Sequence, residues 1–105
     1  MNDEYIIIIT TCPDLTEAEK ITEALISNKI AACVQTSEIR STYLWKGNIE
    51  TAPEIKLLIK TRTGLFDKVS ASIKENSSYE TPEIISVPII MGSSEYLGWI
   101  DDVTV

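Results

Sequence analysis

Ile39-Arg40-Ser41-Thr42-Tyr43-Leu44-Trp45-Lys46-Gly47-Asn48-Ile49-Glu50-Thr51 is the stretch that decides the fold. Ile39, Ser41, Tyr43 and Trp45 keep the two-residue period of a strand, and Lys46-Gly47-Asn48 then supplies turn chemistry. The alternation resumes in Ile49, Thr51, Ile55, Leu57 and Ile59 on the way back. Traced upstream, the strand pattern reaches Ile30, so a long hairpin over residues 31 to 62 is predicted. Proline cannot donate to a strand ladder, and Pro53 therefore predicts an edge or a bulge that divides the hairpin into a projecting tip and a packed base.

Outward from the hairpin, the chain reads as strand and helix in turn. Tyr5-Ile6-Ile7-Ile8-Ile9-Thr10 is apolar on both faces, the pattern of a central strand covered on both sides. Thr11-Cys12-Pro13-Asp14 interrupts it, and Asp14 with Glu17 three residues on reads as an N-cap with its capping-box partner. Leu15, Ala18, Ile21, Leu25 and Ile26 then share one arc of a helix over about 14 to 28. After the hairpin, Thr63-Gly64 opens a second helix whose inner face carries Leu65, Phe66, Val69 and Ile73, ending near Asn76. Glu83 to Met91 is strand-like, with Pro88 favouring an edge, and Ser93 or Ser94 caps a short last helix carrying Tyr96, Leu97, Trp99 and Ile100. The order βαββαβ plus a terminal helix predicts an α+β fold: one antiparallel sheet with helices on one face, the ferredoxin-like plait, which by itself names no activity. A hairpin this long has more strand than a small plait covers, and unpaired edges invite another chain, so a homotrimer is predicted.

The 105 residues suit one domain, 1–105, and 44% hydrophobic with 24% charged residues is an ordinary globular balance. No apolar stretch approaches the ~20 residues of a membrane span. The acidic opening Met1-Asn2-Asp3-Glu4 lacks the features of an export signal, which predicts a cytoplasmic protein. With 9 basic and 16 acidic residues the net charge is −7, a poor match to a phosphate backbone, so nucleic acid is not an expected partner. Acids dominate both ends of the chain, while residues 28 to 75 are mildly basic. There is no histidine, which removes the commonest general base, the Ser-His-Asp triad, the Cys-His dyad and the commonest metal ligand together. Cys12 and Cys33 are too few and too far apart for a disulfide framework or a CxxC motif.

Six stretches stand in register: Thr11-Cys12-Pro13-Asp14; Ala31-Ala32-Cys33-Val34; Tyr43 through Glu50; Glu54 with Lys60-Thr61; Tyr79-Glu80-Thr81-Pro82-Glu83-Ile84; and Tyr96-Leu97-Gly98-Trp99-Ile100. Together they closely resemble the CutA family of divalent-cation tolerance proteins over nearly the whole chain. The resemblance implies a cytoplasmic trimer linked to copper and other divalent metals, with no established catalytic activity and no required cofactor. The family pattern places one or two histidines before the Tyr-Glu-x-Pro-Glu stretch, where this chain has Asn76 and Ser77. Of the soft positions that take up copper in relatives, Cys12 alone is matched. It is the candidate ligand of a weakly bound divalent metal, and its place before a helix N-terminus favours a reactive thiolate. Cys33 reads as core.

Tyr43, Trp45, Glu54, Lys60, Tyr79 and Glu83 are the candidate pocket or interface residues: aromatic rings and opposite charges come within reach on the two strands, and Tyr79 and Glu83 flank Pro82 in a turn expected to hold them beside that region in the trimer. They suit a small ligand, a metal ion or small anion, or a contact between subunits. Tyr96 and Trp99 read as core or interface. Four functions compete. A trimeric metal-response protein that binds or signals stands first. An acylphosphatase-like hydrolase needs a phosphate-cradling loop with arginine, and Thr10 to Asp14 has none. A metal chaperone needs a second cysteine beside Cys12. A small-molecule or anion sensor with sites between subunits, resembling the trimeric nitrogen-regulatory proteins, is the alternative.

Overall fold

Branched Cβ atoms suit a pleated surface, and the run from Ile6 to Thr11 lies within β1 (Tyr5–Cys12). The structure, a computed structural model, describes residues 4–105. The remaining elements are α1 (Leu15–Ser27), β2 (Cys33–Trp45), β3 (Asn48–Arg62), a 3₁₀ turn (Thr63–Leu65), α2 (Phe66–Asn76), β4 (Ile85–Pro88) and α3 (Ser94–Val103). The sheet runs β2-β3-β1-β4 with antiparallel pairing throughout, so the α+β plait with a terminal helix is observed as predicted.

The hairpin is built at its tip. Lys46 and Gly47 have φ of 51° and 85°, the two left-handed residues of a type I′ turn, whose twist matches that of the strands it joins. From Trp45↔Asn48 to Cys33↔Lys60 the register never slips. Pro53 therefore sits in the ladder opposite Arg40 without a bulge. Pairing of β3 with β1 stops at Cys12↔Ile55, so Pro53 has no third strand beside it, and the edge half of the expectation is the correct one.

Four expectations shift. β1 runs on through Thr11 and Cys12 instead of stopping before them. β2 begins at Cys33, not Ile30, because α1 closes in a Schellman turn: Lys29 takes φ 58°, its N–H donates to Ile26 O at 3.0 Å, and the Ile30 N–H donates to Leu25 O at 3.1 Å. β4 keeps only four residues of the predicted run. The capping box is half present. Asp14 accepts from the Glu17 N–H at 2.9 Å, but the Glu17 carboxylate turns away to accept from the Ser78 N–H at 3.1 Å.

The core lies on one face of the sheet. Ile6, Ile8 and Cys12 of β1 and Ile55, Leu57 and Ile59 of β3 pack there with Ala18, Ile21 and Leu25 of α1 and Val69 and Ile73 of α2. Within the subunit β1 is thus fully covered on one side, and on the other face Tyr5, Ile7 and Ile9 are half-buried. α3 meets that second face at its base. The Tyr5 hydroxyl donates to Asp101 at 2.6 Å, and Arg62 Nε donates to Thr104 Oγ1 at 2.9 Å. The bond to Asp101 pushes the Tyr5 phenol up to about 12. Ser93 caps α3 by accepting the Tyr96 N–H at 3.2 Å. Ile100 alone of that helix is fully buried, while Tyr96 and Trp99 stay partly exposed.

Candidate functional site

Side chains two apart on a strand share a face, so the hairpin tip aligns Ser41, Tyr43 and Trp45, and the ladder sets Glu54 opposite Ile39 on the same side. Facing them is the connection from α2 to β4, residues 77 to 84. Backbone groups pin this segment at its start. Ser78 donates to Glu17 as described, the Tyr79 N–H donates to Ser77 Oγ at 3.1 Å, and the Tyr79 hydroxyl donates to Glu54 Oε2 at 2.6 Å. The last bond ties the segment to β3. Burial, followed by the bond to Glu54, raises the Tyr79 phenol above its ordinary range, since both favour the neutral form.

Between tip and segment lies an open cleft of about 660 Å³. Tyr43, Trp45 and Tyr79 give it aromatic walls, Glu54, Glu80 and Glu83 give it carboxylates, and hydroxyls of Ser and Thr lie between them; neither Lys nor Arg lines it. Of the expected pocket residues, Tyr43, Trp45, Glu54, Tyr79 and Glu83 are brought together. Lys60 is not among them. Six residues along β3 from Glu54 is about 20 Å at the rise of a strand, and the Lys60 ammonium instead lies 5.5 Å from the Tyr96 ring centroid, over α3. The opposite charges expected side by side are therefore parted, and the cleft is acidic. Sequence reading missed Glu80. Its signal was available, because Glu80 and Glu83 flank a proline-stiffened turn that also carries Tyr79.

Cys12 ends β1 beneath the cleft and does not line it. Its side chain is fully buried, its Sγ donates to Asp14 O at 3.5 Å, and burial first, then the Glu17 charge, pushes the thiol up to about 11. The thiolate expected from the helix N-terminus is thus disfavoured: desolvation outweighs the dipole. Cys33 is half-buried and free, not in the core as expected, because it opens β2 on the face away from α1 and α2. Asn76 and Ser77, in place of the resemblance's histidines, serve the backbone. Asn76 Nδ2 donates to Ser72 O at 2.8 Å, closing α2. Met91 is exposed, and Met1 lies outside the described residues.

Burial makes Cys12 slow to react. With Cys33→Ser in place, native protein should take up almost no aromatic disulfide reagent at neutral pH and one equivalent once denatured. Prompt labelling of the native variant would mean that Cys12 opens to solvent.

Residues 6–103 match the family described as CutA1 divalent ion tolerance protein. The chain is 43% identical over 95 residues to the divalent-cation tolerance protein CutA of Archaeoglobus fulgidus, covering 90% of this chain and 93% of that one. It is 37% identical over 100 residues to the chloroplastic protein CutA 1 of Oryza sativa, covering 94% of this chain but 56% of the longer rice protein. The solved structure of the Archaeoglobus fulgidus protein, there described as periplasmic, superposes with a TM-score of 0.93 at 41% identity, covering 94% of this chain and 97% of that one.

Proposed function

The chain belongs to the CutA1 divalent ion tolerance family, and from that premise we propose a homotrimeric cytoplasmic protein that responds to divalent metals such as copper by binding or signalling. The observation that carries the assembly is the sheet's two unpaired sides. β2 and β4 are the outermost strands, and large apolar side chains stand exposed on both flanks, Leu44 and Ile49 at the hairpin tip and Ile85, Val87 and Ile90 at β4. Such edges are templates for strand pairing with another chain. Two free cysteines, Cys12 and Cys33, suit a reducing compartment.

A binding role fits the cleft's chemistry better than catalysis. Tyr79 and Cys12 are pushed away from neutrality, opposite to the tuning that a general base or nucleophile needs. Among the described residues no three of His, Cys, Asp and Glu stand close enough to hold a metal ion. A selective copper site wants thiolate or imidazole donors, and a buried thiol beside carboxylates does not fit a tight one within a single subunit. Metal response would then rest on weak binding, on donors shared between subunits, or on a partner. Calorimetry with Cu²⁺ and Zn²⁺ on the wild type and Cys12→Ser tests this: submicromolar binding that survives Cys12→Ser would point to the Glu54 and Tyr79 region instead.

Light scattering at micromolar concentration should return three times the chain mass of 11.7 kDa. A monomer's mass would remove the assembly. The alternative reading, a small-molecule sensor with sites between subunits, draws its support from the cleft itself, whose aromatic walls are partly open.

A further inference from the structure

We propose that the cleft between the hairpin tip and residues 77 to 84 binds an organic cation, an alkylamine or quaternary ammonium compound, between Tyr43, Trp45 and Tyr79 and the carboxylates of Glu54, Glu80 and Glu83. This goes beyond the metal-response reading and is independent of it. The rings carry the argument first. Tyr43 and Trp45 keep 44% and 41% of their surface exposed within the subunit, so part of each ring is open to a ligand. A cation over such a face is attracted by the ring quadrupole, most strongly for Trp. Trp45 already shows the behaviour: the Lys46 ammonium of the same chain lies 5.6 Å from its ring centroid.

The charges carry it second. The lining has three carboxylates and neither Lys nor Arg, and the protein as a whole bears −7, so the local field draws cations and repels anions. Among the lining residues a phosphate or a dicarboxylate would find no positive partner, and the Lys46 ammonium is taken up by the Trp45 ring. A bare divalent ion needs its donors gathered on one point, and among the described residues none are gathered so. An organic cation has neither difficulty, because its charge sits on an alkyl body that lies against rings while separate nitrogens or N-methyl groups face separate carboxylates. The volume of about 660 Å³ falls within the ~300 to 1,000 Å³ usual for small-molecule sites.

Calorimetric titration of the intact protein, in whatever assembly it adopts in solution, provides the test, with spermidine and tetramethylammonium as probes and succinate and Mg²⁺ as comparisons. Spermidine should bind, more weakly as salt rises, and should change the fluorescence of Trp45. Trp45→Leu and Glu83→Gln should each lower the affinity about five- to tenfold, whereas Glu19→Gln, exposed on α1, should leave it unchanged. Glu83 is exposed, so its variant keeps the test open should Trp45→Leu fold poorly. No binding of either amine, succinate binding as tightly, Mg²⁺ displacing spermidine at matched ionic strength, or an equal loss in Glu19→Gln would each overturn the proposal.

Discussion

Leu57→Ala is expected to lower the free energy of unfolding by about 3 kcal/mol, as truncation of a buried leucine leaves a cavity that rigid neighbours close only in part. Leu57 is fully buried, and it sits in β3 between β2 and β1, opposite Thr36 on one side and Thr10 on the other. No neighbour there is free to collapse, since two ladders fix the backbone. Leu44→Ala removes the same atoms from a side chain that is 71% exposed, and within one subunit it should cost under about 0.5 kcal/mol. Urea unfolding of both variants measures the difference. A loss below about 1 kcal/mol for Leu57→Ala would contradict the packing described, while a large loss for Leu44→Ala would show that the tip is buried against another subunit.

Alkaline pH should destabilise the fold through Cys12 and Tyr79. The Cys12 thiol moves from 9.0 to about 11 on folding, so between these values the folded chain keeps a proton that the unfolded chain releases. Stability falls with rising pH wherever the native state binds more protons. The contribution of Cys12 is therefore complete below about pH 9 and is lost on the way to 11, a drop on the order of 2 kcal/mol. Tyr79 has the same sign, beginning near the ordinary phenol value of 10.0. Unfolding curves at pH 8 to 11 should decline for the wild type. Cys12→Ala should be flatter from pH 9, and Tyr79→Phe flatter only above 10. A wild-type curve level across that range would show that neither group stays protonated because of the fold.

The fold was legible where short-range chemistry decides it. Alternation in Ile39 to Trp45 and the Lys46-Gly47 turn specified the hairpin, and the spacing of Ala18, Ile21 and Leu25 specified α1. What stayed hidden depends on distant atoms. The start of β2 was misplaced because Ile30 and Ala31 are apolar for burial in a helix-closing turn and not for a strand. Glu17 reads as a capping-box residue until the α2–β4 connection comes within its reach. Aromatic and acidic motifs singled out Tyr43, Trp45, Glu54, Tyr79 and Glu83, which the fold brings to one cleft, but not the cleft's sign. That required knowing that Lys60 lies far down β3. The burial of Cys12 was equally invisible, because a cysteine before a proline gives no measure of desolvation.

The unbroken ladder between β2 and β3 has a consequence for the order of folding. Its partners start as near neighbours in sequence, Trp45 and Asn48, and widen gradually to Cys33 and Lys60. β1 must find Arg62 from Tyr5, and β4 must bring Pro88 back to Ile6. Closing a short loop costs less entropy than closing a long one, and local pairings form early while distant ones wait. The hairpin can zip from its tip as soon as it leaves the ribosome, whereas the outer strand on the far side joins only when the last fifth of the chain has been made. One side of the sheet is thus ready for a neighbour before the other exists, and in the proposed assembly a nascent chain would meet its siblings through the hairpin first.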